Sequence, residues 1–281
     1  MMVMKKSILT IIILLVCILC GCQNQVNKSE EINSVTGEFS FTVLKAGQAD
    51  AILLHTQNHN IVIDCGEKDD GDKIVEYLAN NNISEINHMY ITHFDKDHIG
   101  GFPYVIENIN VKNVYAPNYE GKNTEYIKYL ESIKENQMSV TELSEDTSFL
   151  IDDVLFEISV PKRKTYSEGD NDFSMVISVT HGGNTFLFAG DAEKERLVEV
   201  MGEFGNRYDF LKVPHHGKYN KNTKRFIMTV KPIYSVICDS DKNPAENEVI
   251  SILQSVGSEI YSTRNGNVYV SSNGKEITIV Q

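Results

Sequence analysis

The sequence predicts a single α/β domain in which two β-sheets pack face to face and helices cover their outer sides. Short apolar segments of strand length recur along residues 38–281 and alternate with segments of helical periodicity. The first elements follow the order β-β-α-β-α, and the second half of the chain repeats this arrangement. A cluster of histidines and aspartates directly follows one of these strands, which is where α/β proteins usually place their sites.

The elements of the first half are read from period-two and helical patterns. The predicted strands are Phe39–Leu44, Ala51–Leu54, Ile61–Ile63, Ile86–Ile91 and Val111–Tyr115. The predicted helices are Asp72–Asn80, Phe102–Glu107 and Tyr126–Ile133. Ile127, Leu130 and Ile133 fall on one face of the last of these helices.

The second half contains a hairpin signal, His181-Gly182-Gly183-Asn184, between two apolar runs. The predicted strands are Val154–Val160, Met175–Thr180, Thr185–Phe188, Phe210–Val213 and Ile233–Ile237, followed by a strand-rich end. The predicted helices are Ala192–Met201 and Glu246–Val256, and Lys162–Asp172 is predicted to be a polar loop.

Residues 1–21 have the features of a bacterial lipoprotein signal peptide. Lys5 and Lys6 precede an apolar core that is too short to span a bilayer as a helix, and Leu19-Cys20-Gly21-Cys22 resembles a lipoprotein cleavage box. We expect cleavage before Cys22, lipidation of its thiol and a polar tether over residues 22–37. The domain would then be anchored to the membrane on its extracytoplasmic face. An ordinary signal peptide or a short anchor is the alternative.

Composition limits the function classes. The 281 residues carry a formal net charge of −13, which argues against a general nucleic-acid binder but not against an enzyme that holds phosphate through metal ions. Beyond the leader and Cys22, two cysteines remain, Cys65 and Cys238. A disulfide between them is possible in an oxidising compartment, and buried inert thiols are the favoured interpretation.

The segment Thr92–Gly101 carries His93, Asp95, Asp97 and His98 within six residues, after a strand. Imidazole and carboxylate together suit Zn²⁺, Mn²⁺ or Fe²⁺. The following pair of glycines permits the sharp turn that would let these side chains converge.

His93-x-Asp95-x-Asp97-His98 resembles the metal motif of the metallo-β-lactamase superfamily, with Asp95 in place of a histidine. This variant is similar to the hydrolase domain of the ComEC competence DNA-uptake proteins and to surface phosphorylcholine esterases. Four further segments resemble motifs of the same family, in family order: Lys45–Ala51, Ile63–Gly66, Phe188–Asp191 and Lys212–Gly217. The resemblance extends from about Phe39 to Gln281 and implies a metallo-β-lactamase-like αββα sandwich.

The resemblance implies two adjacent divalent ions, Zn or Mn, with Asp95 shifting the balance somewhat towards Mn. The implied metal ligands are His93, Asp95, Asp97, His98, Asp191 as a bridge, and one histidine of the His215–His216 pair. We assign His215 as that ligand, and His216 with Asp97 to catalysis, although either histidine of the pair could be the ligand. For Asp191, the alternative role is to cap the helix that follows it.

The resemblance also points to three further positions, two as uncertain metal ligands and one as a residue that supports the ligands. The family usually supplies another first-site histidine from a loop between the halves, and the nearest positional matches here are Asn171 and Asp172. Asp64 is expected to support the metal loop through hydrogen bonds.

The implied function is a dinuclear phosphodiesterase acting outside the cytoplasm, with DNA as one candidate substrate. One alternative is an esterase of phosphorylcholine-type or other cell-wall phosphodiesters. A second, from another class, is a non-catalytic surface binding protein with a degenerate metal site. The partners implied are the phosphodiester substrate and, through the N-terminal lipid, the membrane; no protein partner is implied.

Overall fold

The structure is a computed structural model that describes residues 39–167 and 169–281. The predicted signal peptide and tether, including Cys22, lie outside the described residues. Among the helices described, none is both long and apolar enough to cross a membrane.

The first sheet has eight strands in the order β15-β14-β1-β2-β3-β4-β5-β6. Its strands are β1 (Phe39–Val43), β2 (Ile52–His55), β3 (Asn60–Ile63), β4 (Glu85–Tyr90), β5 (Asn110–Pro117), β6 (Val140–Leu143), β14 (Val268–Ser272) and β15 (Ile277–Val280). Pairing is antiparallel from β15 to β3 and parallel from β3 to β6. The parallel half therefore presents its carboxyl ends at one edge.

The second sheet has seven strands in the order β13-β12-β11-β10-β9-β8-β7. They are β7 (Thr147–Ile151), β8 (Val154–Ser159), β9 (Val176–His181), β10 (Asn184–Phe188), β11 (Phe210–Lys212), β12 (Tyr234–Ile237) and β13 (Glu259–Ser262). Strands β10 to β13 are parallel and strands β7 to β10 are antiparallel. This sheet too has a parallel half with all its carboxyl ends on one side.

Helices pack against the outer face of each sheet. They are α1 (Gly71–Asn80), α2 (Lys96–Ile99), α3 (Phe102–Asn108), α4 (Thr124–Glu135), α5 (Lys194–Glu203), α6 (Thr223–Val230) and α7 (Asn247–Ser255). Apolar side chains of α1, α3 and α4 form one core with the first sheet, and those of α5, α6 and α7 form another with the second. The predicted α/β sandwich with outer helices is confirmed.

A third apolar core joins the two sheets, and its centre is aromatic. The ring of Phe41 on β1 lies 4.9 Å from that of Phe210 and 5.3 Å from that of Phe188, both in edge-to-face geometry. Such pairs add to the free energy gained from burying the rings. The packing fixes the two sheets against each other, so the strand ends that carry the motif residues meet at one edge.

Candidate metal centre

The candidate centre lies where the carboxyl ends of the parallel strands of both sheets meet. From the first sheet, Asp64 follows β3 and the loop Thr92–Gly101 follows β4. The loop is held in place by backbone bonds, Met175 N to Thr92 O at 2.9 Å and Cys65 N to His98 O at 2.7 Å. A side chain at Gly101 would collide with the carbonyl oxygen of Cys65, which explains why glycine is needed there.

Four predicted site residues form one compact group. Asp97, His98, Asp191 and His216 each place a potential ligand atom within 4.8 Å of those of the others. The Asp191 carboxylate lies in the middle: Oδ1 is 3.4 Å from His98 Nε2, and Oδ2 is 3.1 Å from His216 Nε2. His216 Nε2 is also 3.3 Å from Asp97 Oδ2.

His93 and Asp95 lie beside this group. The His93 ring is 4.0 Å from the His98 ring, centroid to centroid, and His93 Nε2 is 3.6 Å from Asp95 Oδ2. His93 is fully buried, whereas the Asp95 side chain is 35% exposed, so this end of the group opens to solvent.

The histidines have the hydrogen-bonding pattern expected of metal ligands. The Nε2 atoms of His93, His98 and His216 are buried, and within residues 39–167 and 169–281 none of them makes a hydrogen bond. The opposite ring nitrogens are bonded: His98 Nδ1 to Asp64 at 2.7 Å, His216 Nδ1 to Cys238 O at 3.0 Å, and His93 Nδ1 to Thr92 Oγ1 at 3.1 Å. Nδ1–H donation leaves the Nε2 atom of each ring to face the carboxylates of the centre, where it could bind a metal ion, or a proton when no metal is bound. The residues present therefore fit divalent metal.

Asp64 connects the metal loop to the end of β3. Its carboxylate accepts three hydrogen bonds of 2.7 Å, from Thr92 N, Thr92 Oγ1 and His98 Nδ1. Its backbone is in the left-handed region, with φ at 59°, which is uncommon for a residue other than glycine. Strain of this kind persists where the surroundings fix it, and the three bonds do so.

The two adjacent histidines take different directions. Both have left-handed backbone angles, φ 48° at His215 and 52° at His216. His216 joins the four-residue group, whereas His215 Nδ1 lies 2.8 Å from Glu193 Oε1, away from that group. The assignment of His215 as the ligand and His216 to catalysis stays a prediction, and the geometry favours exchanging the two roles.

The two residues matched to the missing first-site histidine are engaged elsewhere. The Asp172 carboxylate accepts bonds from Glu193 N at 2.9 Å and from Arg196 N at 3.3 Å, so it caps the start of α5. Asn171 Nδ2 lies 3.3 Å from His215 Nε2. Because Asp172 serves as the cap, Asp191 is free to face the histidines.

Asp170, to which the sequence gave no role, lies close enough to His93 and Asp95 for their charges to act on its carboxylate. Burial and the neighbouring Asp95 carboxylate raise the pKa of Asp170, while His93 opposes this shift. Its position one residue before Asn171 in a polar loop gave no signal by which the sequence could have distinguished it.

Asp50 and Lys212 are the other site residues to which the sequence analysis gave no role. Lys212 Nζ is fully buried, contacts the Asp50 carboxylate, and lies 3.5 Å from Asp191 Oδ1 and 3.1 Å from Gly190 O. Burial acts to lower the pKa of Lys212, but the carboxylates of Asp50 and Asp191 outweigh it and raise the pKa. A lysine inside the apolar run Phe210–Val213 is the signal that could have revealed this ion pair.

Opposite charges that lie close together also shift the pKa values of the histidines and aspartates of the centre. Burial acts to lower the pKa of His216, yet Asp191 and Asp97 raise it to about 9. His98 also has its pKa raised above the usual range by Asp191 and Asp64, against the effect of burial. Conversely, His216 and His98 hold the pKa of Asp191 well below its usual range although burial acts to raise it. Without metal, protons on these imidazoles therefore balance the carboxylates.

The remaining two cysteines take no part in a disulfide. Cys65 and Cys238 are buried free thiols at the ends of β3 and β12, and burial raises the pKa of both well above the usual value. They are therefore unreactive at neutral pH.

The fold and the ligand group define a known class of protein. The family model of the metallo-beta-lactamase superfamily matches residues 44–238, and the chain belongs to that superfamily. Its relatives include ComE operon protein 3 of Bacillus subtilis, 27% identical over 186 residues, covering 66% of this chain and 24% of that protein. Competence protein ComA of Neisseria gonorrhoeae is 26% identical over 216 residues, covering 74% of this chain and 29% of that protein. The chain thus spans about a quarter of the length of these relatives.

Among solved structures, the metallo-beta-lactamase fold protein YhfI from Bacillus subtilis superposes with a TM-score of 0.54 at 10% identity. The match covers 81% of this chain and 98% of YhfI. At this identity the likeness concerns the fold alone.

Replacing Asp64 with asparagine should weaken metal binding by about 10–100-fold, because the amide cannot accept all three bonds that orient Thr92 and His98. Metal titration of the domain from residue 38 measures this. Asp69→Asn, an exposed residue nearby, is the matched control and should bind metal normally. Normal affinity in Asp64→Asn would show that the loop is oriented by other contacts.

Metal binding should release protons at pH 7, because the raised pKa of His216, about 9, keeps its imidazole charged in the metal-free protein. Below pH 9 this proton competes with the metal ion for His216, so the apparent metal affinity should rise with pH, about tenfold per unit for each proton displaced. Zinc titration in weakly buffered solution with a pH indicator measures the release. His216→Gln should release fewer protons than the parent, whereas His55→Gln should match it.

Proposed function

We propose that this chain is a metal-dependent hydrolase of phosphodiesters that acts outside the cytoplasm. One observation carries the proposal: the buried Nε2 atoms of His98 and His216 face the two oxygens of Asp191, and the His93 ring lies 4.0 Å from that of His98. Within residues 39–167 and 169–281, none of these three Nε2 atoms makes a hydrogen bond. His93 and Asp95 would hold one ion, and Asp97, His98 and His216 the other. Asp191 would be shared by the two ions, as the family resemblance implies. In the structure its two oxygens face His98 and His216, which would both hold the second ion.

Divalent ions in such a pair act as Lewis acids towards phosphate oxygens and lower the pKa of water. The chain's own residues set the conditions for that chemistry. Asp64 and the Cys238 carbonyl fix the ring orientations of His98 and His216. The pair of Lys212 and Asp50 supplies positive charge behind Asp191, which keeps that carboxylate ionised and in place.

His215 is the residue best placed to handle a proton. Its Nδ1 lies 2.8 Å from Glu193 Oε1, which orients the ring, and its side chain is 14% exposed, beside the site rather than inside the ligand group. Its contact with the start of the Asp191 segment, His215 N to Gly190 O at 3.2 Å, keeps it close to the reacting groups. A proton on its ring could pass to the leaving oxygen of a bound ester.

Nucleic acid is the substrate class that we favour, because the motifs resemble those of the ComEC DNA-uptake proteins and one relative is named competence protein ComA. A phosphorylcholine-type or other cell-wall phosphodiester is the second candidate, supported by the acidic net charge of −13. A non-catalytic binding protein is disfavoured because one chain carries His93, Asp95, Asp97, His98, Asp191 and the His215–His216 pair.

Asp191→Asn should reduce hydrolysis of bis-p-nitrophenyl phosphate by on the order of a thousandfold, because it removes the charge that both ions share. Metal content, measured by elemental analysis after reconstitution with Mn²⁺ or Zn²⁺, should fall as well. The control is Asp153→Asn, an exposed aspartate on the turn before β8. If Asp191→Asn keeps both near-normal metal and near-normal activity, the two-ion proposal is wrong.

Cys22→Ala should release the protein from the membrane fraction or leave its leader uncleaved in the native host, because a lipoprotein box needs the thiol that takes the lipid. Cell fractionation and the mass of the mature chain measure this, with Cys17→Ala as the control within the leader. Normal processing and membrane binding of Cys22→Ala would exclude lipid anchoring at that residue.

A further inference from the structure

The carboxylate of Asp239 is buried at the carboxyl edge of the second sheet, outside the ligand group. Asp239 follows β12 by two residues and is fully buried. Strands β10 to β13 are parallel, so the end of β12 lies at the same edge as the segments that carry Asp191 and His216. A buried charge at this place needs partners, and those partners show what it holds.

Asp239 accepts hydrogen bonds from two segments that follow it in the chain. Its Oδ2 accepts from Ala245 N at 3.0 Å, and its Oδ1 accepts from the hydroxyl of Ser262 at the end of β13. Its charge is balanced by Arg264, whose Nη2 lies 3.5 Å from Oδ2. One side chain therefore closes the loop of residues 240–245 and fixes the end of β12 against the end of β13.

The end of β12 that Asp239 fixes carries the hydrogen-bond acceptor of His216. The carbonyl oxygen of Cys238, directly before Asp239, lies 3.0 Å from His216 Nδ1. A second acceptor is near: Asp50 Oδ1 is 3.7 Å from the same nitrogen, is buried, and has no hydrogen-bond partner among the residues that the structure describes. If the Cys238 carbonyl moved, Nδ1–H could turn towards Asp50, and Nε2 would then leave its place 3.1 Å from Asp191 Oδ2.

The loop of Asp239 also closes on the backbone beside His216. Gly217 has a φ of 78°, and a Cβ at this position would lie 2.6 Å from Ala245 Cβ. Glu246 N donates to Gly217 O at 3.0 Å. Because Ala245 N is the donor that Asp239 accepts, the bond at Asp239 places this contact. The backbone of His216 is itself left-handed, with φ at 52°, a conformation that persists only where its neighbours fix it.

We propose that Asp239 is a positioning residue of the metal centre: it fixes the Cys238 carbonyl and thereby keeps His216 Nε2 facing the carboxylates of the ligand group. The inference rests on the proposed function, in which His216 is a ligand, and names the residue of the second sheet on which that ligand depends. Asp64 bonds His98 directly from the first sheet. Asp239 acts one step further from the ligand, through a backbone carbonyl.

A role limited to joining β12 and β13 leads to a different expectation. Removal of Asp239 would then lower the stability of the fold but leave the affinity for each ion as in the parent. A positioning role weakens the ion that His216 helps to hold and spares the ion at His93 and Asp95. The two ions therefore report separately on the two roles.

The test is a zinc titration of the full-length mature chain, comparing Asp239→Ala with Ser235→Ala. The control removes another buried hydrogen bond between the same segments, Ser235 Oγ to Ser258 Oγ at 2.7 Å, near the amino ends of β12 and β13. Thermal unfolding of the metal-free proteins should show both variants destabilised. Asp239→Ala should bind one ion about 10–100-fold more weakly and the other as the parent does, whereas Ser235→Ala should bind both normally.

Parental affinity for both ions in Asp239→Ala, or an equal loss at both, would overturn the inference. A parent that binds less than one equivalent of metal would instead count against the proposed function.

Ser262→Ala is the milder variant, for the case in which Asp239→Ala does not fold. It removes one of the bonds to Asp239 and should weaken the same ion by about threefold. Proton NMR of the zinc-loaded protein should also show the Nδ1–H signal of His216 shifted and that of His98 in its parental position, with His216→Gln identifying the first signal. An unmoved His216 signal together with parental affinity in Ser262→Ala would overturn the inference.

Discussion

The carboxylate of Asp64 is the point on which the candidate centre depends. It accepts two bonds from Thr92 and one from His98, and so joins the end of β3 to the loop after β4. Through His98 it fixes which ring nitrogen faces Asp191. The Thr92 hydroxyl donates to Asp64, so its oxygen is left to accept a hydrogen bond from His93 Nδ1. The left-handed backbone conformation of Asp64 is energetically unfavourable, and it allows one carboxylate to reach all three donors. The orientation of His93 and His98 in the loop is therefore set by Asp64, a residue that does not contact the Nε2 atoms available for metal.

Most elements follow from local patterns, because a strand or helix that packs on a core must carry the apolar period of that element. The exceptions have physical reasons. Strands β6 and β7 lie at the edges of their sheets and are largely exposed, so they lack the apolar alternation that marks an inner strand. Helix α6 contains residues of modest helix propensity such as Thr223 and Val230, and its burial on the second sheet decides its conformation.

The residues of the site likewise fall into those that the sequence indicated and those that only the structure revealed. The motif residues of the β4 loop could be read as ligands from their spacing alone. The difference between His215 and His216 could not, because it depends on two successive left-handed residues that turn neighbouring side chains in opposite directions. Asp50, Asp170 and Lys212 gain their roles only from contacts between segments far apart in the chain. The pairing of Lys212 with Asp50 also shows why a charge can sit within an apolar strand: removing one partner of such a buried pair typically costs about 3–5 kcal/mol.

The residues of the ligand group come from segments of both sheets, so the group cannot be complete until most of the chain has been synthesised. A nascent chain that has reached only β9 contains His93, Asp95, Asp97 and His98 but lacks Asp191 and His216, so it holds four of these six candidate ligands. Joining the halves requires closure of a long loop, which is slow and entropically unfavourable. Metal bound by the complete group then favours the folded state by mass action, since the unfolded chain cannot assemble the same ligands. Metal binding by the complete group would therefore follow the docking of the two sheets and would stabilise that docked arrangement.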